Sequence, residues 1–109
     1  MRFMKAEDYY REALAYSPND VELSNEVARF LISNDLDIVG GMALATKTVR
    51  QYPENSALMY TYGMALYKIG KLEESLEILK KSWDLEPYYD PEHHALIKNI
   101  EDSLARQYQ

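Results

Sequence analysis

Apolar residues recur at intervals of three and four between residues 56 and 69, which places them on one face of a helix. Gly70 follows as a helix end, because glycine tolerates a positive φ. A second stripe begins at Leu72, and Pro87 ends it. The pattern predicts two helices joined by a tight turn. Their apolar residues are Leu58, Met59, Tyr62, Leu66 and Ile69, followed by Leu72, Leu76, Ile78, Leu79, Trp83 and Leu85.

A helix pair that ends in proline also occurs one unit earlier. Pro53 and Pro87 are 34 residues apart, and Pro18 and Pro53 are 35 apart. Asn19 is predicted to cap a helix that runs to about residue 33, with Glu22 completing a capping box. The sequence therefore predicts a second unit of almost the same length.

The link of this earlier unit, residues 34–37, is more polar than the Ile-Gly link of the later one. Asp37 is predicted to cap the second helix, which covers about residues 38–51. We place the one extra residue of this unit near Asp35, where the inter-helix glycine is absent.

Two glycines, Gly40 and Gly41, stand early in that second helix, and each costs about 1 kcal/mol of helix propensity. Two interpretations stay open. Either Gly41 allows close packing and Gly40 is merely tolerated, or the pair opens the backbone to a ligand.

Residues 56–87 resemble one complete tetratricopeptide repeat (TPR), a helix pair of 34 residues in that family. The family pattern of large and small residues is met at Met59, Tyr62, Gly63, Leu66, Gly70, Ser75, Leu79, Ser82 and Pro87. Gly63 costs its helix about 1 kcal/mol relative to alanine, which makes sense if the paired helix approaches closely there. The resemblance implies an all-α, right-handed superhelix of antiparallel helical hairpins, an α-solenoid.

Under this resemblance residues 1–109 form a single domain. The last helix resembles either a terminal cap or the first helix of a further repeat; Asp90 caps it and Pro91 takes its first position. The expected parts are residues 3–16, the second helix of a truncated repeat, two repeats at 20–53 and 54–87, and the C-terminal helix at 90–108.

The first segment carries an apolar edge that a preceding helix would cover. Its spacing of small and large residues repeats that of residues 75–87. Burying one large apolar side chain is worth roughly 1.5–3 kcal/mol, so several of them in water are unfavourable. Either the chain is a piece of a longer repeat protein, or a second copy covers the edge in a homodimer. The edge consists of Phe3, Tyr9, Tyr10 and Leu14.

In this family the first helix of each pair lines a concave groove. The resemblance therefore implies a peptide-binding groove that comprises Asn25, Arg29, Ile32, Ser33, Tyr60, Met64, Tyr67, Lys68, His94 and Lys98. Tyr60, Met64 and Tyr67 form an apolar stripe that either faces another protein surface or lies half-exposed. A carboxylate clamp for chaperone C-termini is not supported, because only Arg29 among the clamp positions could bind a carboxylate strongly.

Composition narrows the function classes. The chain has 109 residues and a net charge of −6, which disfavours nucleic acid and anionic membranes as partners. It has no cysteine, and adjacent helical residues such as His93 and His94 point roughly 100° apart, which makes them a poor metal pair. We therefore expect no enzyme, no cofactor and no metal. No signal-peptide core is visible, so a cytoplasmic location is expected.

Two functions stay open at this point. The first is a non-enzymatic adaptor or scaffold that binds a peptide or protein segment in the groove. The alternative is a structural module whose repeat edges pack against another copy or against further repeats.

Overall fold

The computed structural model describes residues 5–86 and 90–107, and every regular element in these ranges is an α-helix. The predicted all-α fold is confirmed for this part of the chain. Phe3 and Pro87, and residue 108 of the last predicted helix, lie outside the described residues. The helices are α1 (Ala6–Tyr16), α2 (Val21–Ser33), α3 (Ile38–Gln51), α4 (Ser56–Lys68), α5 (Leu72–Leu85) and α6 (Pro91–Gln107).

The start of α2 differs from the prediction by one residue. Asp20, not Asn19, is the N-cap, and its Oδ1 accepts a hydrogen bond from the Leu23 N–H at 3.0 Å. Asn19 lies inside a turn that the Asp20 N–H closes by donating to the Ser17 carbonyl oxygen at 3.2 Å. The predicted capping box was therefore wrong, because its register depended on Asn19.

Equivalent helix ends recur along the chain at one period. Asp20, Asn55 and Asp90 each accept backbone N–H groups at the start of a helix, and they are 35 residues apart. Asp35 (φ 54°) and Gly70 (φ 84°), also 35 apart, adopt the left-handed conformation between paired helices. Aspartate tolerates this region better than most residues, so Asp35 replaces the glycine that is absent from the first link.

Asp37 caps α3 as predicted, accepting a hydrogen bond from the Gly40 N–H at 2.8 Å. Its other oxygen lies 3.0 Å from Nη2 of Arg11, which joins α1 to the link between α2 and α3. The Gly40 N–H contributes most, and the Arg11 guanidinium adds to it, in holding the pKa of the Asp37 carboxyl below its ordinary value.

The helices pack on their neighbours in sequence, and α2 also packs on α4. Helix α3 contacts both α2 and α4, while α5 contacts both α4 and α6. Side chains of α4 and α6 also meet, because the rings of Tyr60 and His93 are 4.7 Å apart. Helix α4 is thus enclosed by α2, α3, α5 and α6, within a body of 54 × 28 × 23 Å.

Two apolar clusters form the core. The first joins α2, α3 and α4, and the second joins α4, α5 and α6. Removal of these side chains from water is the main favourable contribution to folding. The buried members are Ala28, Ile32, Ala45, Met64 and Ala65 in the first cluster, and Tyr60, Leu79, Ile97 and Ile100 in the second.

Helices α4 and α5 approach closely at the glycine that the sequence singled out. A Cβ atom on Gly63 would lie 2.7 Å from Cδ2 of Leu79. The Ser75 hydroxyl donates to the Gly63 carbonyl oxygen at 2.6 Å, and the Ser82 hydroxyl donates to that of Ser56 at 2.8 Å. The small residues of α5 therefore admit the α4 backbone and also satisfy two of its carbonyl groups.

The glycine pair of α3 has two separate packing roles. A Cβ on Gly41 would lie 2.5 Å from Cγ1 of Ile32, which confirms the close packing predicted there. A Cβ on Gly40 would collide with the carboxylate of the cap Asp37. Both glycines are thus explained by contacts within the chain.

Candidate functional site

Three of the predicted groove residues belong to the core instead. Ile32 packs with Ala45 and Met64 in the first cluster, and Tyr60 packs with Leu79 in the second. All three of Ile32, Tyr60 and Met64 are buried. They are not accessible to a ligand, because α3 and α6 cover apolar surfaces that the sequence assigned to a groove.

The remaining predicted groove residues are exposed or half-buried, and we call them the α2–α4–α6 face. This face contains three basic side chains and no carboxylate. Its residues are Asn25, Arg29, Ser33, Tyr67, Lys68, His94 and Lys98.

One row of contacts crosses all three helices beneath this face. The Arg29 guanidinium of α2 lies over the Tyr60 ring of α4, 5.4 Å from its centroid. The other contact of that ring is His93 of α6, at 4.7 Å between centroids. Helices α2, α4 and α6 are therefore held side by side through Tyr60.

The Tyr60 hydroxyl lies in a buried and mostly acidic setting. Burial is the largest cause that raises its pKa above the ordinary value of tyrosine, and Arg29 opposes that shift. The carboxylates of Asp90, Glu92 and Glu86 raise it further. Tyr60 thus remains protonated at neutral pH and acts as an apolar ring with a neutral hydroxyl.

Two polar features border the face. Nζ of Lys68 lies 3.0 Å from Oδ1 of Asp35, which ties the end of α4 to the link after α2. The buried Oδ1 of Asn25 accepts no hydrogen bond from the described residues. An unsatisfied buried acceptor costs about 1–3 kcal/mol, so this corner is built at some cost to stability.

His93 is the buried polar residue that the sequence analysis missed. Its side chain is fully buried, with Nε2 2.8 Å from the Leu79 carbonyl oxygen and Nδ1 3.1 Å from Oε2 of Glu86. The Trp83 ring meets it edge-on at 5.4 Å. A signal was present, because His93 continues the spacing of Ile97, Ile100 and Leu104 along the inner stripe of α6.

The predicted N-terminal edge is partly covered by α2. Tyr10 stacks on Phe30 at 4.9 Å, and its hydroxyl donates to Glu26 at 3.0 Å. That hydrogen bond and the charge of Glu26 raise the pKa of Tyr10. Tyr9 is 62% exposed and Tyr16 is 91% exposed.

These two tyrosines border a shallow concavity of about 450 Å³ between α1 and α2, which Glu12, Ala13, Ser17 and Leu23 also line. Leu14 is half-buried. No residue of α1 is fully buried, so this helix is the least covered of the six.

Within residues 5–86 and 90–107, no group of three or more His, Asp or Glu side chains could hold a metal ion. The two histidines lie in different surroundings: His93 is buried, whereas His94 is exposed and contacts Trp83 at 5.7 Å. None of the described helices is long and apolar enough to cross a membrane.

The comparisons with known proteins add no family assignment. No protein-family model matches the chain, and no curated protein matches its sequence significantly.

Proposed function

We propose that this chain is a tetratricopeptide-repeat-like module that binds a segment of another protein along the α2–α4–α6 face and performs no catalysis. The observation that carries the proposal is the Arg29–Tyr60–His93 row, which sets three helices side by side. The 35-residue recurrence of caps and left-handed links supports the repeat interpretation. A rigid row of helices offers a preorganised surface, which reduces the entropy lost on binding.

The charge of the face favours an acidic partner segment. Arg29, Lys68 and Lys98 are its charged members, on a chain whose net charge is −6. Lys68 is already paired with Asp35, so Arg29 and Lys98 are the cations we assign to the partner. Complementary charge sets the orientation and association rate of such a segment.

Reversal of these two charges is expected to weaken binding at least about tenfold, because the acidic segment would then meet like charges. Peptides are first selected from a random library displayed on phage, with the wild-type chain as bait. Affinities of the selected peptides are then measured for the wild type and for Arg29→Glu with Lys98→Glu. We expect the selected peptides to be enriched in Asp and Glu.

A matched control is available on α3, where Lys47 and Arg50 are exposed. Lys47→Glu with Arg50→Glu makes the same change in net charge and should leave affinity within about twofold. Equal losses in both variants would mean that only the overall charge matters. Absence of any enriched peptide, or full affinity in the Arg29 and Lys98 variant, would count against the proposed face.

The second candidate function, self-association through the N-terminal edge, is favoured by the exposure of Tyr9 and Tyr16 beside the concavity on α1. Tyr9→Asp with Tyr16→Asp should convert a dimer into a monomer, because two charges would have to be buried in the contact. Tyr10 is left intact since it packs on Phe30. Light scattering over a concentration series measures the mass; a wild type that is monomeric throughout rules this candidate out.

A further inference from the structure

His93 is fully buried, and both of its ring nitrogens face oxygen atoms. The Leu79 carbonyl oxygen can only accept, so Nε2 must carry a proton to make the 2.8 Å hydrogen bond. Nδ1 lies 3.1 Å from the Glu86 carboxyl group. A neutral imidazole has one N–H and an ionised carboxylate has none. Both hydrogen bonds therefore require one further proton, shared between His93 and Glu86.

The surrounding charges favour placing that proton on the imidazole. Glu86 at the end of α5 is the nearest carboxylate, and Asp90 accepts the His93 backbone N–H at 3.4 Å. Glu92 lies on the same turn of α6. From α4 the ring is faced by Tyr60, whose hydroxyl is neutral.

The remaining charged groups nearby do not replace Glu86. Arg29 of α2 is separated from His93 by the Tyr60 ring. His94 points elsewhere and meets Trp83. Lys80 of α5 lies 3.6 Å from Glu101 of α6, which is a separate contact between these two helices.

We propose that His93 and Glu86 form a proton-dependent clasp that fastens α6 onto α4 and α5. With the extra proton, α6 is tied to the carbonyl of Leu79 and to the end of α5 at once. Without it, the Nδ1 lone pair faces a carboxylate, and Glu86, whose side chain is 20% exposed, can turn towards water. Loss of the clasp loosens the helix that covers Tyr60 and Leu79.

The consequence is a conformational device controlled by pH. Helix α6 closes the apolar cluster of α4 and α5, so its release would expose Tyr60, Leu79 and Ile97. Acidic conditions keep the array closed, and alkaline conditions favour its opening. This device does not depend on whether the α2–α4–α6 face binds a partner.

The test combines a direct observation of protons with matched variants. Ring ¹⁵N NMR spectra of the wild-type chain at pH 6 should show protons on both nitrogens of His93, and at pH 8.5 on Nε2 alone. Between these pH values the wild-type Tm should fall by about 4–8 °C relative to Glu86→Gln, the shift expected for the loss of one hydrogen bond in a domain of this size.

Glu86→Gln is the informative variant, because a glutamine amide can donate to the neutral Nδ1 or accept from the protonated one. It should keep α6 closed at both pH values. His94→Gln removes the neighbouring histidine and should retain the wild-type dependence on pH. Fluorescence of Trp83, the one tryptophan of the chain, reports on the packing of α6 in the same samples.

The proposal would be overturned by a His93 ring that carries a single proton from pH 5.5 to 8.5. An identical pH dependence of Tm in the wild type and Glu86→Gln would overturn it as well. Since Glu86→Gln preserves shape and hydrogen bonding, a failure to fold would itself contradict the neutral clasp expected for that variant.

Discussion

Gly63→Leu is expected to destabilise the chain by about 1–3 kcal/mol, the usual cost of overpacking a core. Helix propensity alone predicts the opposite sign, since leucine is favoured over glycine in a helix by nearly 1 kcal/mol. The packing effect should win because the first added atom would already lie 2.7 Å from Cδ2 of Leu79, which is fully buried. Leu79 has no free space into which it could turn.

Urea-induced unfolding measures this difference in free energy, and the midpoint should shift without a change in slope. Ala57→Leu is a suitable control, because Ala57 is an exposed position of the same helix; its effect should stay within about 0.5 kcal/mol. A Gly63→Leu variant as stable as the wild type would mean that α4 and α5 do not approach as described.

Leu79→Ala should cost about 2–5 kcal/mol, the range for truncating a buried leucine. Leu79 is fully buried, fills the space opposite Gly63, and gives its carbonyl oxygen to His93. The loss therefore combines removed apolar contacts with a cavity between α4, α5 and α6. Of a total stability of about 5–15 kcal/mol for a small domain, this is a large share.

The same unfolding measurement tests Leu79→Ala, with Leu85→Ala as its control. Leu85 is a leucine of the same helix but is 47% exposed, so its truncation should cost far less. The double variant Gly63→Leu with Leu79→Ala should cost less than the two single changes together, because the new leucine enters the space that Leu79 leaves. Strict additivity would contradict direct contact between these positions.

Most helix ends could be predicted because they depend on local chemistry. Gly70, Asp37 and Asp90 each favour a turn or a cap through their own backbone or side-chain preferences, whatever the rest of the chain does. Gly63 was interpretable for a related reason, since a glycine inside a helix is costly unless another element needs the room. Asn19 was misassigned because two neighbouring residues, Asn19 and Asp20, have the same capping chemistry.

The candidate site was harder to predict, because burial depends on which helix covers a given face. Ile32, Tyr60 and Met64 are apolar residues at positions that the repeat pattern assigns to a groove. The apolar pattern of α4 shows two faces but does not say that α6 covers one of them. Tyr60 therefore looked like a binding residue and is a core residue that joins α2 to α6.

His93 was missed for the complementary reason. A histidine on a helix gives no sign of its burial unless the stripe that it continues is taken into account. Its two acceptors, the Leu79 carbonyl and Glu86, lie 14 and 7 residues away. Only the packing of α6 on α5 brings them together.

The most direct test of the central claim is the footprint of a selected peptide on the chain, mapped by changes in backbone NMR chemical shifts. The account predicts that the largest changes cluster at Arg29, Ser33, Tyr67 and Lys98, with little change at Lys47 and Arg50 of α3. A footprint centred on α3, or on Tyr9 and Tyr16 of α1, would contradict the assignment of partner binding to the α2–α4–α6 face.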